Sequence, residues 1–331
     1  MKKTLFILSL LFIINGIATA CTYKTPNTKD NIKNNSKESK ITADKIIKQI
    51  QKDEPVYYKD AVISGDLDFT AIKAENDESI GEYRSYINSS ITFINCSFEG
   101  KLIASRKDTD NKANHYVTFS KNLTFINSEF KAEVNFSESN IIGIVNFAGS
   151  TFDEITSFEG AVFFSKSTFF SESNFKKELK FQRTVFEGNA EFLKCTFEGI
   201  TSFQSAVLKG NAQFGATKFE QYADFTNIIV NGAVYFNYAE FFKQAIFDNG
   251  TFFGRFEFIQ SIFHYIAEFK NNTFYGKTKF TQANFGGKTF FDNSVFYNGK
   301  PNTEDIITTK DTDFTLENTI YIESQKLENF K

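Results

Sequence analysis

From Phe125 onward, large apolar residues recur at intervals that alternate between five and six positions. The series runs Phe125, Phe130, Phe136, Ile141, Phe147, Phe152 and Phe158, resumes at Phe181, and continues through Phe203, Phe225, Phe247 and Phe269 to Phe296. Two positions before most of these residues stands a small one, as at Ala190, Cys195, Thr201, Ala206, Ala212 and Thr217. Side chains two apart on a strand share a face, so each short strand points one large and one small residue inward. Steps of five and six rotate around a helix and keep no helical face, which excludes an α-helical array. Between Phe158 and Phe181 the spacing is 23 rather than 22. A one-residue bulge near Phe164 to Phe175, beside the doublets Phe163-Phe164 and Phe169-Phe170, would restore the register.

Outside this array the pattern is looser. Strand-like alternation begins at Val62 to Phe69 and resumes at Ile91-Thr92-Phe93 and Cys96-Ser97-Phe98, while charged and polar residues from Arg106 to Asn114 predict an insertion loop over about 104–116. Ile41 to Asp53 reads as a short amphipathic helix with Thr42 as N-cap, Ile46, Ile47 and Ile50 on one face, and Pro55 ending it. So short a helix is marginal alone and makes sense as a cap over the open end of a sheet. The expected organisation is therefore a capping segment at 41–60, a repeat domain at 61–300, and a C-terminal cap or tail at 301–331 around Phe314 and Thr319 to Ile322.

Composition sharpens the picture. Phe occurs 43 times in 331 residues, Trp never and Pro three times, which is the mark of one structural slot filled repeatedly. The large-small couplet at five-residue spacing resembles the pentapeptide-repeat family, in a Phe-rich branch with alternating steps. Phe-Glu-Gly-Asn-Ala-Glu-Phe at 186–192 and Phe-Thr-Gln-Ala-Asn-Phe at 280–285 carry the resemblance. It implies an all-β fold: a right-handed, four-sided parallel β-helix of about 22 residues per coil, with a short N-terminal capping helix. About eight coils then follow Phe119, a rod of roughly 40 Å at about 4.8 Å per coil.

The N-terminus predicts export. Lys2 and Lys3 precede an apolar run from Leu5 to Ile14, too short for a permanent span, so 1–20 reads as a signal peptide. Ala18-Thr19-Ala20-Cys21 resembles the lipobox of bacterial lipoproteins, which implies acylation of Cys21 and a lipid anchor on a bacterial membrane, at the outer membrane's periplasmic face or surface. Ala18 stands where that motif has Leu, Val or Ile, and Ala18-x-Ala20 also suits ordinary cleavage to a soluble secreted protein with a free Cys21. Residues 21–40 are Lys-, Asn-, Thr- and Ser-rich and read as a flexible tether.

Candidate chemistry is sparse. A formal charge of −3 speaks against a basic nucleic-acid binder, and two His and three Cys leave little material for a metal or nucleophile site. Cys96 and Cys195 fall in the small inward slot. Asp108-Thr-Asp110-Asn111 with Asn114 spaces oxygen ligands like a calcium loop but lacks the glycine and closing Glu. No phosphate loop, nucleophile elbow or HExxH motif occurs. No catalytic residue, cofactor or metal is expected.

One outward column changes character along the chain. The position after every second key residue is Glu187, Glu198, Lys209, Glu220 and Asn231, then Phe242, Phe253, His264, Tyr275 and, past Gly286, Tyr297. At 22 residues per coil, Phe253, Tyr275 and Tyr297 stack on one side, and Phe242 and His264 on another. These five form the candidate binding face, for another envelope protein or a glycan; stacking for stability alone is the plainer reading. The expected function is a non-enzymatic, lipid-anchored structural or interaction rod, with homodimerisation through the end caps as a candidate assembly. A DNA-mimicking topoisomerase binder, as some members of the family are, needs a strongly acidic face. A polysaccharide lyase needs longer loops than these corners provide.

Overall fold

The computed structural model describes residues 39–77, 82–108, 113–309 and 313–322. Their strands, mostly of two residues, stack into four parallel sheets that form the sides of a β-solenoid of about 12 coils. One coil serves to name the sides: face 1 at Ala212–Gln213, face 2 at Lys218–Phe219, face 3 at Ala223–Asp224 and face 4 at Ile229–Val230. In the regular coils each strand residue pairs with the one 22 positions on, as in Phe219↔Phe241 and Val230↔Phe252. This is the four-sided parallel β-helix that the repeat implies.

The key aromatics fill the interior. Phe214, Phe236 and Phe258 stack at 4.7 Å between successive ring centroids, and Phe219, Phe241 and Phe263 at 4.7 Å. Rings from the opposite faces 1 and 3 meet edge to face across the interior, as Phe203 and Phe214 do at 5.3 Å and 90°. Both geometries suit the aromatic quadrupole, and each pair contributes about 0.5–1.5 kcal/mol beyond its buried area. The small slots are also buried, and several of their hydroxyls bond to the neighbouring coil: Ser150, Ser173 and Ser294 donate to the carbonyls of Phe125, Phe147 and Phe269 at 2.7, 2.8 and 2.7 Å. Cys195 occupies the same slot, with Sγ 2.9 Å from the Phe170 carbonyl oxygen. Burial pushes its thiol up to about 12, so it is a packing residue rather than a reactive one.

The corners are of two kinds. After faces 1 and 3 the chain turns through a residue with positive φ every eleven positions, including Lys194, Ser205, Ala216, Asn227, Tyr238 and Asn249. The next N–H closes the turn on the preceding Phe carbonyl, as from Ala206 to Phe203 at 3.0 Å. After face 4, glycines stack coil upon coil: a Cβ on Gly210 would lie 2.4 Å from the Gly188 carbonyl carbon, and one on Gly232 would lie 2.3 Å from the Gly210 oxygen. The single extra residue sits at this corner, between Phe163 and Thr168, where pairing jumps from Ile141↔Phe163 to Val145↔Thr168. Its place is thus a corner, where one more residue disturbs no ladder.

The ends and one side depart from the regular coil. Helix Ala43–Ile50 buries Ala43, Ile46 and Ile50 against the first strands; Thr42 precedes it in extended conformation, but its side chain makes no capping bond. In the first coils the pairing offset widens to 35 and 32 residues, as in Val56↔Ile91 and Ile91↔Leu123. The excess is two antiparallel hairpins, Ala74–Asp77 with Glu82–Ile87 and Ser105–Asp108 with Ala113–Phe119, which extend face 4 as a wing. Strand, not loop, therefore flanks residues 109–112. At the other end Ile307–Thr308, Phe314–Thr315 and Ile320–Tyr321 form a last coil, at offsets of 23 and 25. Phe314 stacks on Phe291 at 5.4 Å and Tyr321 on Phe296 at 5.5 Å. The tail as far as Ile322 is thus an irregular continuation of the repeat.

Candidate interaction surface

Because the inward slots are committed to packing, any recognition falls to the outward positions. The structure divides the five candidate aromatic residues between two columns. Phe253, Tyr275 and Tyr297 follow face 4, while Phe242 and His264 follow face 2, so the columns run along diagonally opposite corners. Phe253 and Tyr275 stack at 5.0 Å and 3°, and Tyr275 and Tyr297 at 4.7 Å and 15°. Phe253 is 50% exposed and Tyr275 43%. Phe242 and His264 stack at 4.8 Å and 16°, and His264 Nε2 lies 2.7 Å from Glu240 Oε1. His264 thus has the ring partner that the column implied and a carboxylate partner besides. In each column the flat ring faces are turned to one another and the edges to solvent.

Two further columns had no place in the sequence reading. Between the two corners that bound face 4, the outward strand residues from the eighth coil on are Ile229, Thr251, Thr273, Val295 and Ile320. The positive-φ corner before them carries Asn227, Asn249, Asn271, Asn293 and Asn318, all exposed. With the aromatic column these make a flat face without a charged residue over five coils. Its sequence signal is an eleven-residue-disguised motif seen only every 22 positions: Asn249-Gly-Thr-Phe-Phe253, Asn271-Asn-Thr-Phe-Tyr275 and Asn293-Ser-Val-Phe-Tyr297.

His115 and Arg106, near the first coils, have structural partners. His115 Nε2 lies 2.9 Å from Ser85 Oγ, which is fully buried and donates to the Ile72 carbonyl at 2.6 Å. That hydroxyl is engaged and sealed off, and burial lowers the His115 pKa. Arg106 pairs with Asp68 beside it. Among the described residues no group of three or more His, Cys, Asp and Glu could hold a metal ion. Cys21, the tether as far as residue 38 and part of the calcium-like loop lie outside the described residues, whereas Ser39 and Lys40, expected in the tether, open strand Ser39–Thr42, paired with Ala61–Ser64.

A family model described as pentapeptide repeats (9 copies) matches residues 115–162 and 181–229. The chain carries pentapeptide repeats. The two matched stretches flank the corner with the extra residue, and the same four-sided coil continues beyond them on both sides. Solenoids built of such repeats are typically non-catalytic, and the rod is consistent with a structural or interaction module. No curated protein and no solved structure matches the chain.

Proposed function

We propose that this pentapeptide-repeat protein is a non-enzymatic, lipid-anchored component of a bacterial envelope, whose rod contacts another protein through the outer aromatic columns of its C-terminal coils. The observation that carries this reading is the exposure of Phe253 and Tyr275 where packing of the core requires no aromatic residue. Exposed aromatic residues in contiguous rows are a surface that binding covers. A glycan chain is the weaker partner, because sugar rings stack on flat aromatic faces and these faces are occupied by neighbouring rings. The anchor rests on the lipobox-like run Ala18 to Cys21 and the polar tether; two or more acyl chains give stable attachment.

Cross-linking with pull-down from intact envelopes tests the contact. The protein should capture a recurrent partner, and a Phe253→Ser, Tyr275→Ser, Tyr297→Ser variant should lose it; unchanged capture by the variant would end the reading. Mass analysis of the mature N-terminus tests the anchor: a diacyl or triacyl adduct on Cys21 is expected, and an unmodified Cys21 would leave a soluble secreted rod.

A further inference from the structure

The uncharged face on side 4 is bounded by charges of opposite sign. The corner before it carries Asp248 and Asp292, with Lys270 between them, and the corner after it carries Arg255 and Lys277. Arg255 and Lys277 are exposed and make no ion pair among the described residues, and neither Asp248 nor Asp292 makes one. Lys270 is already engaged by Glu268 and the Phe290 ring. At the equivalent corners of earlier coils several charges pair internally, as Glu187 with Lys209 at 2.8 Å and Arg183 with Glu159 at 2.8 Å. Among the described residues, only the C-terminal coils combine a charge-free centre with rims of opposite sign that make no ion pair.

We propose that this face packs against the same face of a second copy of the chain, with the two rods side by side and parallel. The proposal rests on reading the C-terminal coils as a protein-contact surface, and it names the partner. Three observations select a second copy. An isologous contact sets each patch against itself, which a centre without charges tolerates. The columns repeat once per coil, so two copies are commensurate and their ridges stay in register along the whole face, whereas a partner of another repeat would drift out. Finally, a two-fold axis along the rods brings each acidic rim opposite the partner's basic rim. Asp248 then faces the level of Arg255, and Lys277 lies one coil from both Asp248 and Asp292. Antiparallel rods would oppose acid to acid, so charge fixes the direction.

The size of the face sets the strength. Five coils at about 4.8 Å and three outward columns about 6.6 Å apart give a face of roughly 400 Å² per copy. A standard interface buries about 800 Å² per partner, so the dimer should be weak and dependent on concentration.

Sedimentation velocity on the full chain across the micromolar range reads this directly. A reversible dimer is expected. Thr273→Lys, at the centre of the face, should leave only monomer. Its fold should survive, because Lys218 and Lys279 already occupy outward strand positions elsewhere on the rod. Arg255→Glu should weaken the dimer at least about tenfold, and adding Asp248→Arg should restore it, since the exchanged charges meet again only between parallel rods. As a check independent of destabilisation, Thr273→Cys should form an intermolecular disulfide on oxidation under conditions where Lys209→Cys does not. A wild-type chain that stays monomeric, or a dimer indifferent to Thr273→Lys, overturns the proposal. If the chain is monomeric yet Thr273→Lys abolishes capture of another envelope protein, the second copy is wrong and the contact-surface reading stands. If neither Thr273→Lys nor the triple serine variant changes any contact, both fall.

Discussion

The column that follows face 4 passes through two regions of opposite chemistry on identical geometry. In the middle coils it holds Glu187 and Lys209, joined across one coil by an ion pair of 2.8 Å. In the C-terminal coils it holds Phe253, Tyr275 and Tyr297, joined by ring stacks of 5.0 and 4.7 Å. The column after face 2 makes the same change, from Asp153 and Lys176 at 2.8 Å to Phe242 and His264 at 4.8 Å. A position one coil above its equivalent lies about one strand spacing away, which suits an ion pair and a ring stack equally. The backbone therefore does not choose between them. What differs is the exterior offered to solvent: salted and self-paired in the middle, aromatic and uncharged near the end.

If that is right, the interior should not distinguish the regions. Phe192, between Phe170 and Phe214 at 5.1 and 4.8 Å, and Phe258, between Phe236 and Phe280 at 4.7 and 5.5 Å, lie on the same ladder. Replacing either with Ala should cost about 3–5 kcal/mol, with similar losses by equilibrium denaturation. A much smaller loss at Phe258 would mean that the contrast reaches the core.

The glycine ladder gives the next largest effect and also ignores the boundary. Gly210→Ala and Gly254→Ala each drive a Cβ to within 2.4 and 2.2 Å of backbone in the preceding coil. Each should cost about 1–3 kcal/mol as overpacking. Gly215→Ala, whose nearest neighbour is the Leu193 side-chain methyl at 3.0 Å, serves as the tolerated control. Thermal melts that rank Gly215→Ala with the other two would refute close backbone approach as the reason for the ladder.

How much of this was legible in the sequence follows from what repeats. The inward Phe and small slots recur in every coil, so their period and their burial can be read directly. The aromatic columns could be read too, because 22 is the sum of visible steps. The hairpins could not: Ala74–Asp77 and Glu82–Ile87 are polar and pair with each other away from the inward columns. The last coil is hidden because its offsets stretch to 25. Positive-φ corners are hidden because Glu138, Ala216 and Tyr238 are not residues that announce a left-handed turn. The uncharged face was missed because it belongs to three columns at once, and no single column displays it.

Across the boundary the exterior should respond differently to salt. Tyr275→Ser removes two ring stacks at about 0.5–1.5 kcal/mol each, a loss that should be the same at low and high ionic strength.

Glu187→Gln has the smallest expected effect and the sharpest contrast. Both partners are partly exposed, at 33% and 45% of their side chains, so the pair should contribute only about 0.2–1 kcal/mol. That contribution is coulombic and open to counterions, so it should fade as salt rises to 1 M, where the Debye length is about 3 Å. The difference between wild type and Glu187→Gln should therefore shrink with salt while that for Tyr275→Ser holds. The double replacement Glu187→Phe with Lys209→Tyr carries the test further, by building the C-terminal chemistry onto the middle coils. Since the two positions already sit one coil apart, the new rings should stack, and the variant should melt within a few degrees of wild type but without its salt dependence. A large loss of stability would mean that the corner backbone does select its side chains, and that the two regions differ in more than their exterior.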